Sequence, residues 1–229
     1  MRIVILASAL ALGTTACTGA PAPAEAPATG EQADAKAETT EANTATATES
    51  TKAEVGKAAP TFTLTDLDGA SHDLSAYKGK TVVLEWFNPG CPFVVAAHGE
   101  GPLKDMAATN MDKGVVWLSI NSGAPGKQGH GIDTNKAAVA DWAMKNPVLV
   151  DESGKVGRMY GAKTTPHMFV IDPEGTLVYA GGLDNAPRNE RPESGYIPFT
   201  QNAIDAVLAG QDVTASKSQA WGCSVKYGS

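Results

Sequence analysis

Residues 81–92, Thr-Val-Val-Leu-Glu-Trp-Phe-Asn-Pro-Gly-Cys-Pro, constrain this chain more than any other stretch. Thr81 to Phe87 is nearly continuously apolar, the pattern of a central strand covered on both faces. Asn88-Pro89-Gly90 is turn chemistry. Pro92 then suits the first position of a helix, where its missing N–H would have no partner anyway. Cys91 is thereby placed at a helix N-terminus, at the end of a buried strand. That end carries roughly half a positive charge. It favours thiolate over thiol, and the thiolate is both nucleophile and ligand. A reactive or ligating Cys91 is expected, against the alternative of a buried structural cysteine.

The rest of the chain supplies a fold around that strand. Thr61 to Leu67 alternates with period two, and Asp68-Gly69 can turn it back on Ser71 to Leu74 as a hairpin. Pro92 to about Asn110 is helix, weakened in the middle by Gly99 and Gly101, where a break is expected. Val115 to Ile120 is a second central strand. Ser122 to Ile132 holds Gly123, Gly126, Gly129, Gly131 and Pro125, and reads as a long mobile loop. Thr134 to Lys145 is helix, capped by Asp133 or Thr134. Val148 to Val150 is strand, and Lys155 to Tyr160 is a short helix ended by Gly161. Pro166 cannot lie within a paired central strand, so it marks the start of the strand His167 to Ile171. Thr176 to Ala180 pairs back on that strand, and Tyr196 to Leu208 is the last helix. This order gives an α/β fold: a central mixed sheet flanked by helices, preceded by a β-hairpin.

The N-terminal quarter is different in kind. Met1 to Ala16 reads as a targeting segment, with Arg2 ahead of an apolar run from Ile3 to Leu12 that is too short to span a bilayer. With Cys17 following Thr14-Thr15-Ala16, it resembles a bacterial lipoprotein signal, although Thr14 stands where Leu is usual. The resemblance implies lipidation at Cys17 and an address in the cell envelope, on the periplasmic side. Thr18, rather than Asp, is consistent with outer-membrane sorting. Residues 17–55 are rich in Ala, Thr, Glu and Pro. From Thr18 to Val55 there are seven acidic residues and two Lys, so this stretch alone carries −5 of the chain's −7. It lacks the apolar surface needed to offset the entropy of ordering, and reads as a disordered tether. Residues 56–229, about 170 residues, make one domain. No basic patch or basic helix is present, so no nucleic-acid partner is expected. Membrane attachment is expected only through the N-terminal lipid.

The folded part resembles the thioredoxin fold, and within it the redoxin branch that includes peroxiredoxins (the alkyl hydroperoxide reductase and thiol-specific antioxidant group) and membrane-tethered thiol oxidoreductases. Ala59-Pro60-Thr61-Phe62-Thr63-Leu64, Asp68-Gly69 and Tyr77-Lys78-Gly79-Lys80 are similar to the redoxin hairpin and the lead-in to its first central strand. Glu85 falls where thioredoxins place a buried acidic residue. Thr165-Pro166 falls where they place a cis-proline facing the reactive thiol. Two departures matter. Cys91-Pro92-Phe93-Val94 lacks the second cysteine of Cys-x-x-Cys. Leu84 and Asn88 stand where peroxiredoxins carry Pro and a hydroxyl residue, so an amide replaces the group that positions peroxide.

The resemblance implies a thiol-dependent oxidoreductase or antioxidant that reduces peroxide or disulfide through Cys91. A thiol reductant, protein or small molecule, is the implied partner, and no cofactor is implied. Cys223 is the candidate resolving cysteine, on a mobile tail able to fold back. A catalytic bond to Cys91, a structural staple and two unlinked thiols all remain open. Glu85 is a candidate proton relay, with a raised pKa if it is unpaired; a salt bridge or solvent exposure is the alternative. His167, next to Pro166, is a candidate imidazolium partner of the Cys91 thiolate, or an ordinary strand histidine. His98 reads as a satisfied helix residue. Two other functions compete with catalysis. One is a non-catalytic thioredoxin-like binding module. The other is Cu or Zn delivery through Cys91, His167 and Cys223.

Overall fold

The computed structural model describes residues 52–229; the targeting segment, Cys17 and nearly all of the acidic tether lie outside them. Among the described residues, nine strands and five α-helices follow in chain order. They are β1 (Thr63–Asp66), β2 (Ser71–Asp73), β3 (Val82–Trp86), α1 (Pro92–Gly99), α2 (Leu103–Met111), β4 (Val116–Asn121), α3 (Ile132–Asp141) and β5 (Val148–Val150). Then come α4 (Lys155–Tyr160), β6 (Thr164–Thr165), β7 (His167–Ile171), β8 (Leu177–Gly181), α5 (Phe199–Leu208) and β9 (Cys223–Ser224).

Seven strands form one mixed sheet in the order β2-β1-β5-β4-β3-β7-β8. β3 runs parallel to β4 and antiparallel to β7, with Glu85 level with Ser119 on one side and Met168 on the other. All five residues of β3 are buried, as the continuous apolar run requires. The side chains alternate between two cores. Leu84 and Trp86 pack with Phe62, Ile120, Tyr160 and Phe169 on one face. Val83 packs with Trp117, Met168, Tyr179 and Ile204 on the other. This is the thioredoxin-like α/β architecture that the resemblance implied.

The weak point in the first long helix is where the two glycines put it: α1 stops at Gly99 and α2 begins at Leu103. α3 starts at Ile132, earlier than expected, with Gly131 rather than a polar side chain at its N-cap (φ 103°). Ala53 and Val55 already pack against the core ahead of Gly56.

Two segments expected to be mobile are held. In the glycine-rich loop, the Asn121 and Asn135 amides both donate to Gly129 O, at 2.8 and 3.0 Å. The C-terminal tail is a strap rather than a loose end. Its Ser218 hydroxyl accepts from Gly182 N, and the Trp221 indole donates to Asp184 O at 2.6 Å. β9 pairs antiparallel with β6, placing Cys223 opposite Thr165. Beyond it, Val225 N donates to Lys163 O, Tyr227 donates to Ala162 O, and Arg158 stacks on the Tyr227 ring. Composition hid this docking, because each of these hydrogen bonds ends on a backbone group of the domain, which any sequence possesses.

Candidate functional site

Cys91 is the N-cap residue of α1, with extended backbone and Pro92 at the first helical position. The turn before it is tied by Asn88, whose Oδ1 accepts from Gly90 N at 2.9 Å. Cys91 has no exposed surface and packs in a small cluster with Phe87, Val94, Ala138 and Val148. Opposite it is the Thr165–Pro166 turn, whose peptide bond is cis. As a thiol, Cys91 donates to Thr165 O at 3.1 Å.

Cys223 reaches the same place from the strap, and neither sulfur is in a disulfide. Burial pushes the Cys91 thiol up, but hydrogen bonding outweighs it. The Thr165 side chain, the Cys223 thiol and the backbone N–H groups of Val94 and Cys223 hold the Cys91 pKa below its usual value. The buried Thr165 hydroxyl makes no hydrogen bond in the structure, which leaves it free to turn toward the sulfur. Cys223 moves the other way. Burial and the neighbouring Cys91 raise its pKa, partly offset by the positive charges of Lys226 and Arg188. Of the two thiols, Cys91 is the one whose deprotonation its surroundings favour.

Gly222 makes this approach possible. Its φ is 128°, and a Cβ added there would collide with the Thr165 carbonyl oxygen. The strap backbone therefore lies flush against the turn that faces Cys91. Phe93, in the first turn of α1, receives Trp221 at 5.9 Å and the Arg188 guanidinium at 4.8 Å. This gives the half-buried Cys223 an aromatic and basic surround.

Glu85 is not a proton relay to Cys91. Its carboxylate accepts from His98 Nε2 at 2.7 Å, Trp117 Nε1 at 3.1 Å and Ser119 Oγ at 2.9 Å. Burial pushes its pKa up, but the charge and hydrogen bond of His98, with the two other donors, bring it below its usual value. A carboxylate so well supplied with donors stays ionised. Its partner is the helix histidine that lies two turns past Cys91.

His167 does not serve as an imidazolium beside Cys91. It is level with Trp86 across β3, and its Nδ1 accepts from Lys163 N at 3.3 Å. Burial, with a smaller contribution from the Lys163 charge, lowers its pKa to about 4, so the ring is neutral near neutral pH. Among the described residues, no group of three or more His, Cys, Asp or Glu side chains is placed to hold a metal ion. Cys91, His167 and Cys223 therefore do not form the Cu or Zn set weighed from the sequence.

Asn88 is engaged at both ends of its amide. Besides the bond to Gly90 N, its Nδ2 donates to Gln128 O at 3.3 Å, and Gln128 Nε2 donates to Gly90 O at 2.7 Å. The glycine-rich loop is clamped over the turn that presents Cys91. Gly129 is required there, since a Cβ would fall on Asn88 Oδ1. Gln128 and Arg188 were not singled out from the sequence, and Thr165 was named there only as the residue before Pro166.

Comparison with known proteins agrees with this frame. Thiol-disulfide oxidoreductase ResA of Geobacillus kaustophilus is 32% identical over 134 residues, covering 56% of this chain and 70% of that protein. The protein of the same name from Bacillus thuringiensis is 29% identical over 132 residues, covering 56% of this chain and 69% of that protein. Two crystal structures superpose well. An uncharacterized conserved protein from Geobacillus kaustophilus gives a TM-score of 0.67 at 31% identity, over 76% of this chain and 93% of that one. A hypothetical protein from Sinorhizobium meliloti gives 0.66 at 29% identity, over 77% and 96%. Residues 54–196 match the Redoxin family. Cys223 and its strap lie beyond the matched residues, whereas β3, the Cys91 turn, α1 and the cis-proline turn all lie within them, and the chain belongs to the Redoxin family.

Proposed function

We propose that this protein is a thiol-disulfide oxidoreductase whose working pair is Cys91 and Cys223. The observation that carries the reading is the meeting of the two thiols at the cis-proline turn, with the charge biased onto Cys91 at a helix N-terminus. The pair takes the place of the Cys-x-x-Cys that Val94 denies the chain. In the oxidised protein the sulfurs are joined. A dithiol gives two electrons and its two protons, breaks that bond, leaves as a disulfide and restores both thiols. Run in reverse, the same exchange reduces a partner's disulfide. The relatives named thiol-disulfide oxidoreductase support this reading.

Peroxide as the oxidised substrate is the weaker form of the proposal. The Asn88 amide is committed to Gly90 and Gln128, and Cys91 has no surface open to solvent. The partner is a thiol reductant, protein or small molecule. We place the protein in the cell envelope, held by lipid at Cys17, on the strength of its lipoprotein-like N-terminus; among the described residues no helix is long and apolar enough to cross a membrane.

The test is turnover with a protein disulfide. The chain should accelerate reduction of insulin by dithiothreitol, and Cys91→Ser and Cys223→Ser should each reduce the rate to background. A Cys223→Ser chain with full activity would show that Cys91 acts without the strap.

A further inference from the structure

The two sulfurs are not equally available. Cys91 has no exposed surface, whereas Cys223, which meets it from the strap, is half-buried. Between Cys91 and solvent lie the cis-proline turn, the first turn of α1 and the strap itself. Gly222 is pressed onto Thr165, and the Val225 N–H···Lys163 O bond (3.0 Å) fixes the strap on the far side of Cys223. Behind Cys91 are Phe87, Val94 and Val148.

Disulfide exchange proceeds by attack of a thiolate on one sulfur while the other leaves, so access decides which sulfur is struck. We propose that Cys223 is the sulfur that external partners engage, and that Cys91 is the internal one. This rests on the Cys91–Cys223 pair of the preceding section and assigns the order of events within it. In the reductive direction, an incoming thiolate attacks Cys223 Sγ. The Cys91–Cys223 bond breaks, its electron pair leaves on Cys91 Sγ, and a mixed disulfide joins Cys223 to the partner. The partner's second thiol then attacks its own bonded sulfur. The partner leaves as a disulfide, and Cys223 departs as a thiolate that takes up a proton. In the opposite direction Cys223 opens a partner's disulfide, and the Cys91 thiolate attacks Cys223 Sγ to expel the partner.

The surroundings fit this division of labour. A leaving thiol of lower pKa leaves faster, and Cys91 is the one whose pKa is held down. Arg188 and Lys226 place positive charge near Cys223, where an incoming thiolate would meet it. Phe93 and Trp221 offer that partner an aromatic ledge. The order is the reverse of what the position of Cys91 at a helix N-terminus suggests when read alone. It also locates the partner-facing chemistry outside the residues matched to the family.

The decisive measurement is a short iodoacetamide pulse on the reduced full-length chain, with each cysteine followed by peptide mass spectrometry. Cys223 should be alkylated at least about tenfold faster than Cys91, because access outweighs thiolate fraction. Equal labelling, or faster labelling of Cys91, overturns the assignment. Gly222→Ala, which prises the strap from Thr165, should raise Cys91 labelling toward that of Cys223. An unchanged Cys91 rate would show that the strap is not its cover, which also overturns the proposal. A parallel incubation of the wild-type chain with glutathione disulfide separates the two readings. Failure to form the Cys91–Cys223 bond sinks the proposed function itself. Formation of that bond with Cys91 the faster thiol sinks only the order proposed here.

Discussion

Glu85 and Cys91 are six residues apart, and neither has any exposed surface. One is the end point of its surroundings and the other is a beginning. Both oxygens of Glu85 are spoken for, by a histidine from α1 and by an indole and a hydroxyl from β4. Cys91 instead faces a second thiol and a threonine hydroxyl that makes no hydrogen bond, a set with room for a bond to form and break. Burial alone therefore does not mark a functional group. What distinguishes the two is whether hydrogen bonding is saturated. Glu85 holds β3, β4 and α1 together beneath the site, and Cys91 uses the rigidity that results.

The contrast breaks most sharply at Glu85. Replacing it with alanine strands His98, Trp117 and Ser119 in the core, and each buried group left without its hydrogen-bond partner costs about 1–3 kcal/mol. Urea denaturation should show that loss. Cys91→Ser, which keeps a donor for Thr165 O, should cost about 1 kcal/mol or less. Similar losses for the two variants would remove the distinction between bolt and working group.

His167 supplies the next largest effect. Its folded-state pKa of about 4 lies below the ordinary histidine value of 6.5, so the folded chain binds fewer protons than the unfolded chain between them. The stability held by the neutral ring is complete above 6.5 and is lost as pH falls through that window, by up to about 3 kcal/mol. Glu85 behaves likewise but lower. Its pKa is depressed below 4.5, so its contribution fades only as pH drops beneath that value. Stability measured from neutral pH down to the mid-fours should therefore fall in the wild type and flatten in His167→Gln. A profile that is already flat in the wild type would contradict the buried neutral ring.

How far the sequence could be read follows from where the information resides. The frame was legible because β3, the Cys91 turn and the Pro166 strand start are written in hydrophobic runs and turn residues, which act locally. Glu85 was legible as buried and His98 as a satisfied helix residue, but not their pairing, because contact across thirteen positions depends on how α1 lies over the sheet. His167 was misjudged because proximity in sequence to Pro166 says nothing of which way a strand residue faces. The strap reads in the sequence as a mobile tail able to fold back on Cys91, but its fixed path does not show there. Its bonds to Lys163, Thr165 and Ala162 end on backbone groups, which no side-chain pattern marks, although Gly222, Trp221 and Tyr227 each serve the close approach. Polar composition suggested mobility in the loop at residues 122–132 for the same reason, although those polar groups are what pin it.

That loop carries the smallest effect, and it tests whether the Cys91 turn is held from outside as well as from below. Asn88→Ala removes the acceptor of Gly90 N and the donor to Gln128 O, whereas Gln128→Ala removes only the bond to Gly90 O. The first should cost about 1–3 kcal/mol, because a backbone donor loses its partner in a part-buried turn. The second should cost about 0.5–1 kcal/mol, since water can replace the lost amide. Both should speed hydrogen exchange at the Gly90 and Cys91 amides, Asn88→Ala the more, while leaving the Trp117 indole bound to Glu85 and its exchange unchanged. Exchange that rises at Trp117 as well would mean that the thiol turn and the carboxylate bolt open together.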